Sequence, residues 1–128
     1  MRMKVRDLQL LPLLAATKWM IRKAAQRSTR MSALLRQERF IFQIVTCSGV
    51  GGYFALQDGR LRLNWGRHER PDFCQVWRSG GEAVHTLTNK DETAMLRAFE
   101  EGRYTMQGRF IVALGFNEVM KIARNLQG

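Results

Sequence analysis

The chain has 128 residues, which is enough for one domain and too few for two. Hydrophobic residues make up 45% and charged residues 25%, a globular balance that excludes a disordered polar tail, and 2 Cys exclude a disulfide scaffold. The unusual quantity is the charge, because 21 Lys+Arg against 11 Asp+Glu leave a net charge of +10. Such a surplus predicts an anionic partner, either a nucleic acid or a membrane surface.

The positive charge lies near the N terminus. Residues 1–40 hold ten basic and two acidic residues, a net +8, whereas residues 41–128 hold eleven and nine, a net +2. A nucleic-acid-binding fold usually carries its basic residues on the folded body or on a recognition helix. The distribution of charge therefore favours a membrane surface, and a nucleic-acid-binding module using the basic N-terminal arm stays as the alternative.

A basic amphipathic helix is predicted over residues 12–27, with Pro12 in its first turn. A helix of this kind can lie in a membrane interface, and its polar face gives the predicted membrane-contact residues. These are Lys18, Trp19, Arg22, Lys23 and Arg27. The alternative is a helix that packs its apolar face on its own domain and leaves its charges in water. The sequence divides at this point into a basic segment, residues 1–30, and a folded domain, residues 31–128.

Localisation is predicted from the absence of long apolar runs and from the two cysteines. The longest uncharged stretch is residues 8–17, whereas a spanning helix needs about 20 apolar residues. The N terminus is similar to a signal peptide, but Asp7 interrupts it and no small-x-small cleavage site follows. Cys47 and Cys74 lie in strand-like surroundings and are expected to be reduced thiols. We expect a cytoplasmic protein whose contact with a membrane is peripheral.

The remaining elements follow from periodicity and turn residues. A short helix is predicted over 31–39, and strands over 40–47, 53–57, 60–65, 72–78 and 108–115, with a helix starting at Asn89 and another at Asn117. Asp58-Gly59 predicts a tight hairpin, and the strand over 72–78 is expected to continue that antiparallel meander. The predicted fold class is α+β, a mostly antiparallel sheet of about five strands covered on one face by helices.

No catalytic or metal-binding constellation is recognisable. His68 lies in a charged turn and His85 in a predicted loop, and neither has a Cys or an acid at ligand spacing. Cys47 and Cys74 do not form a Cys-x-x-Cys motif. We therefore expect a protein that is not an enzyme, with no catalytic residues, no metal site and no cofactor.

Five short motifs, in this order, resemble the sterol carrier protein 2 (SCP2) lipid-binding domain. They are Asp58-Gly59, Pro71-Asp72, the helix stop Gly102, Gln107-Gly108-Arg109 and Gly115. The resemblance spans residues 40–126, and residues 1–30 have no clear counterpart in it. It identifies residues 31–128 as an SCP2-like lipid-binding domain.

The resemblance implies a hydrophobic tunnel between sheet and helices that holds a sterol, a fatty acyl chain or an isoprenoid. The candidate lipid-binding residues are Phe73, Trp77, Met95, Phe99, Met106, Phe110, Leu114, Phe116 and Met120. Bulky apolar side chains and flexible thioethers suit an adaptable pocket, although the same residues can equally be ordinary core. The expected function is non-enzymatic lipid binding or transfer, with docking on anionic membranes through the N-terminal helix. A lipid-metabolising enzyme that receives the bound lipid is a further expected partner.

Overall fold

The structure is a computed structural model that describes residues 5–91 and 93–127, with only the backbone of residue 127. A 3-10 helix, Val5–Gln9, precedes five α-helices: α1 Leu10–Arg27, α2 Thr29–Gln37, α3 Gly80–Leu87, α4 Ala94–Glu100 and α5 Phe110–Gln127. The strands are β1 Phe40–Thr46, β2 Gly51–Gln57, β3 Arg60–Trp65, β4 Phe73–Trp77 and β5 Tyr104–Gly108. This composition confirms the α+β class.

The five strands form one sheet in the order β3-β2-β1-β4-β5. All neighbouring pairs are antiparallel except β1 and β4, which are parallel. The expectation that β4 continues the meander beyond β3 is therefore wrong. Asp72 provides the physical reason, because its Oδ2 accepts a hydrogen bond from the Ile41 backbone N–H at 2.7 Å and fixes the start of β4 beside β1.

The hairpin predicted at Asp58-Gly59 joins β2 to β3. Both turn residues have positive φ, 53° for Asp58 and 79° for Gly59, as a type I′ turn requires. Asp58-Gly59, one of the motifs in the SCP2 resemblance, therefore determines the conformation of this turn. It sets the register in which Phe54 of β2 lies opposite Leu63 of β3.

The strand predicted over residues 108–115 is wrong, because β5 ends at Gly108 and α5 begins at Phe110. Gly108 has a φ of +117°, and a Cβ built on it would lie 2.3 Å from the Asp72 carbonyl oxygen. The chain turns at this close approach and enters a helix, in which Val112, Phe116 and Val119 are buried. The predicted helix start at Asn117 consequently falls inside α5.

Helix α3 was not predicted, and His85 belongs to it and not to a loop. Its signal is present in the sequence, since Ser79 and Glu82 have the spacing of a capping box, and the Ser79 Oγ accepts from the Glu82 N–H at 3.2 Å. The predicted helix start at Asn89 is also wrong. Asn89 Oδ1 instead accepts from the Asp91 N–H at 2.9 Å in a turn before α4, and its expected capping partner Glu92 lies outside the described residues.

One core lies between the helices and a single face of the sheet. Helix α1 belongs to it, because Leu10, Leu14, Ile21 and Ala24 are fully buried there. The apolar face of α1 thus packs on its own domain, which is the alternative stated above, and residues 5–27 are part of the folded body.

Candidate functional site

Five large apolar side chains are exposed near β5, the last strand of the sheet. They are Leu96 and Phe99 of α4 and Phe110, Ile111 and Leu114 of α5, each between 44% and 65% exposed. We call this set the β5-edge strip. Scattered apolar side chains are normal on a protein surface, whereas a group on two neighbouring elements indicates a binding site.

Two members of the strip, Phe99 and Phe110, contact aromatic side chains of the sheet, which we call the floor. Phe99 contacts Tyr104 with ring centroids 5.7 Å apart, and Phe110 contacts Phe73 with centroids 5.6 Å apart. Tyr104 is at the start of β5, and Phe73 pairs with Gly108 at its end. The two contacts are therefore separated by the length of β5, about 14 Å at the usual rise per residue of an antiparallel strand. Half-buried Met106 lies between them on the same face of the sheet.

The helices hold the strip outward because their other faces are anchored in the core. On α4, Ala98 is fully buried while Phe99 beside it is exposed. On α5, buried Val112 and Phe116 face the sheet, so Leu114, two residues from each, lies on the opposite face. Phe110, the first residue of the helix, is exposed but keeps its ring against Phe73. Helix α4 packs on β5, and α5 packs on β1 and β4, so the two helices that carry the strip lie over neighbouring strands.

The nine candidate lipid-binding residues fall into three groups. Phe73, Trp77 and Phe116 are buried in the core, and Met95, Met106 and Met120 are half-buried against it, whereas Phe99, Phe110 and Leu114 are exposed. The last three belong to the β5-edge strip, and Met106 lies on its floor. Sequence reasoning missed Leu96 and Ile111, although each lies three residues from a strip member on the same helix.

A second surface feature is a groove of about 430 Å³ between α1 and β3. Its lining is Ala15, Lys18, Trp19, Arg22, Lys23, Gln26, Leu63 and Trp65. Trp19 and Trp65 are 58% and 55% exposed. Four of the five predicted membrane-contact residues therefore line one groove, and the fifth, Arg27, is exposed at the end of α1. Sequence reasoning missed Trp65, which the pattern of β3 places with core-facing Leu61 and Leu63.

The two surfaces lie at opposite edges of the sheet. The groove borders β3 and the strip borders β5, which are the first and last strands in the sheet order. Four interstrand spacings separate these edges, about 19 Å. A substitution in one surface is therefore expected to leave the other unchanged.

Across residues 5–91 and 93–127, no three His, Cys, Asp or Glu side chains converge on a point that could hold a metal ion. His68 Nδ1 accepts from the Arg70 N–H at 2.9 Å, and His85 is exposed on α3. Among the helices of this same part of the chain, none is long and apolar enough to cross a bilayer.

Tyr104 provides a pH-dependent test of how the floor is packed. It stacks on Trp77 with centroids 4.4 Å apart, and burial raises the pKa of its phenol above the ordinary value of 10.0. Because the fold favours the neutral phenol, this stabilisation is complete below about pH 10 and is lost as the pH rises through the folded-state pKa. We expect Tyr104→Phe to lose less stability than the wild type above about pH 10 when the free energy of unfolding is followed against pH. Equal losses of unfolding free energy in Tyr104→Phe and the wild type would contradict the burial of this phenol.

Comparison with known proteins identifies the fold. No family model matches the sequence, and no curated protein matches it significantly. Solved structures do match, and they place the chain in the α+β class defined above and, within it, in the SCP2 fold. The UbiJ-SCP2 ubiquinone synthesis protein superposes with a TM-score of 0.64 at 13% identity, covering 88% of this chain and 96% of that one.

Two sterol carrier proteins agree with this assignment. The sterol carrier protein domain 2 of Helicoverpa armigera has a TM-score of 0.61 at 18% identity, with 96% of this chain and 94% of that one covered. Apo sterol carrier protein 2 from Yarrowia lipolytica has a TM-score of 0.59 at 15% identity, with 98% and 99% covered. The SCP2 resemblance stated from the sequence motifs is thereby confirmed for the fold.

Proposed function

We propose that this protein is a non-enzymatic carrier that binds a lipid with a long apolar chain along the β5-edge strip. The observation that carries the proposal is the strip itself, five large side chains exposed on α4 and α5. The sterol carrier proteins that share the fold support a lipid as the class of ligand. The proposal includes a sterol, an acyl chain or an isoprenoid.

Hydrophobic burial supplies enough free energy for such a ligand. Each methylene removed from water contributes about 0.8 kcal/mol, so a chain of ten carbons gains about 8 kcal/mol without a specific polar contact. Half-buried Met95 and Met106 pack against the core. Their flexible thioethers can change rotamer and open a tunnel between sheet and helices for the chain.

The carrier docks on anionic membranes through the polar face of α1. Lys18, Arg22, Lys23 and Arg27 provide positive charge, and Trp19 provides an amphipathic ring of the kind that prefers the membrane interface. A cytoplasmic protein that associates peripherally fits these features. The UbiJ-SCP2 neighbour, a ubiquinone synthesis protein, supports a lipid-metabolising enzyme as the acceptor of the bound lipid.

Leu114→Gln tests the strip. The substitution replaces an exposed apolar side chain by a polar one, so the fold is expected to be unaffected while contact with a lipid chain is weakened. A loss of about 1–2 kcal/mol of burial predicts a dissociation constant about five- to thirtyfold higher for a fluorescent fatty acid, measured by titration.

Leu126→Gln is the matched control, because Leu126 is an exposed leucine at the far end of the same helix. We expect it to bind the fatty acid like the wild type. Equal affinity of the Leu114 variant and the wild type would contradict a role for the strip.

A further inference from the structure

We propose that the groove between α1 and β3 binds the phosphate-bearing headgroup of an anionic phospholipid in a bilayer. The inference rests on the proposed membrane docking of α1 and deepens it, because it names the ligand group and adds β3 to the contact surface. Trp65 then becomes a second membrane anchor, opposite Trp19 across the groove.

The charge of the groove is of one sign. Lys18, Arg22 and Lys23 line it, and its lining contains no acidic residue. The salt bridges found over residues 5–91 and 93–127 are made by Arg30, Arg78, Arg97 and Arg103. The three groove cations are thus available to an external anion, and phosphate oxygens are among the acceptors that form strong, charge-assisted hydrogen bonds with Lys and Arg.

The two tryptophans are held in defined positions. The Lys23 Nζ lies 5.3 Å from the centroid of the Trp19 ring, a cation–π distance that keeps both side chains on the α1 wall. On the other wall Trp65 pairs with Gly52, where a built Cβ would lie 3.3 Å from the Trp65 ring. The ring therefore lies across a glycine, in a place that a larger residue would obstruct.

A bilayer headgroup fits this combination better than a free anion or a nucleic acid. Exposed indole rings are typical of the membrane interface, where the apolar ring meets acyl chains and the N–H meets water. Polynucleotide binding uses a basic track that follows several phosphates. Here the cations lie along the α1 wall of one groove whose volume suits a single small ligand.

The experiment measures binding of the full chain to vesicles of phosphatidylcholine, with and without phosphatidylserine. The double variant Arg22→Gln/Lys23→Gln removes two groove charges, and Arg36→Gln/Arg39→Gln removes two exposed charges outside the groove. Both variants have the same net charge, so attraction by overall charge predicts equal losses. If the groove binds the headgroup, the affinity for anionic vesicles is expected to fall about ten- to thirtyfold in the first variant and less than about threefold in the second.

Trp65→Ala supplies an independent readout. We expect about five- to tenfold weaker binding to the anionic vesicles with an unchanged melting temperature, because the side chain is more than half exposed. In Trp19→Phe the remaining tryptophans are exposed Trp65 and fully buried Trp77. Brominated lipids are expected to quench the part of the emission that is absent from Trp19→Phe/Trp65→Ala.

The outcomes separate the groove from the wider proposal. Equal losses of vesicle affinity in the two charge variants, with no effect of Trp65→Ala, would overturn headgroup binding in the groove. Docking of the protein by its overall charge would remain in place. Absence of binding to anionic vesicles would overturn both, as would binding to single-stranded DNA that is tighter than binding to the vesicles. Fatty-acid binding at the β5-edge strip is measured separately and does not depend on any of these results.

Discussion

Replacing Phe116 with alanine is expected to lower the free energy of unfolding by about 3–5 kcal/mol. Phe116 stacks on Phe42 with ring centroids 4.3 Å apart, and it also contacts Phe40 and Phe54. Removing the ring leaves a cavity beside side chains of two strands, β1 and β2, and a packed core closes such a cavity only partly. Denaturant unfolding of the purified variant measures the loss.

Leu114→Ala is the control for this effect, because Leu114 lies on the same helix and faces solvent. We expect its stability to stay within about 0.5 kcal/mol of the wild type. The pair distinguishes two roles within the candidate lipid-binding set, since Phe116 supports the core while Leu114 is free to contact a ligand. Equal destabilisation by both substitutions would contradict the packing described for α5.

Gly80→Ala is expected to destabilise the protein by about 1–3 kcal/mol. A Cβ on Gly80 would lie 2.4 Å from the Asp7 carbonyl oxygen and 2.5 Å from the Asp7 Cα. The buried Asp7 side chain also accepts a hydrogen bond from the Gly80 N–H at 2.8 Å and another from the Ser48 hydroxyl at 2.8 Å. The methyl group therefore forces the 3-10 helix away from α3 and strains these bonds.

Gly81→Ala is the matched substitution one residue further along α3. A Cβ there would lie 3.8 Å from the Arg6 Cβ, an ordinary contact. Because alanine is the better helix former, we expect this variant to be equal to the wild type or more stable by up to about 1 kcal/mol. Melting temperatures of both variants measure the difference, and a Gly80→Ala protein as stable as wild type would show that residues 5–9 do not pack on α3 as described.

The same contact indicates that residues 1–30 cannot be deleted without damage to the core. The deletion removes Asp7 together with the buried α1 residues Leu10, Leu14 and Ile21. Loss of binding in the truncated chain would then report unfolding. Surface substitutions on α1 keep the core intact, and for this reason the vesicle experiment uses them.

Local sequence signals predicted the elements that depend on local structure. Asp58-Gly59 indicated the hairpin, and apolar residues at helical spacing indicated α1. Both signals are local, because a turn type and an amphipathic period are determined by residues that are close together in the sequence. The order of the SCP2-like motifs was sufficient for the fold. One of them, Asp72, proves to be a structural residue that ties β4 to β1.

The parts that sequence patterns missed depend on distant contacts or on the site itself. The parallel pairing of β1 with β4 depends on contacts across the sheet. The start of α5 looked like a strand because Phe110, Ile111 and Leu114 are apolar although they face solvent, so the run lacks an amphipathic helical period. The exposed apolar residues at the start of α5 belong to the β5-edge strip, and they are the reason that this segment was predicted as a strand.

The proposed role as a lipid carrier is tested most directly by identifying what the protein holds. The protein is purified from its own host without detergent, examined by native mass spectrometry, and extracted for untargeted lipid analysis. We expect a bound species whose mass matches a lipid with a long apolar chain, at a reduced level in Leu114→Gln and at the wild-type level in Leu126→Gln. A protein that carries no lipid and shows no saturable binding of a fluorescent fatty acid would contradict the proposal.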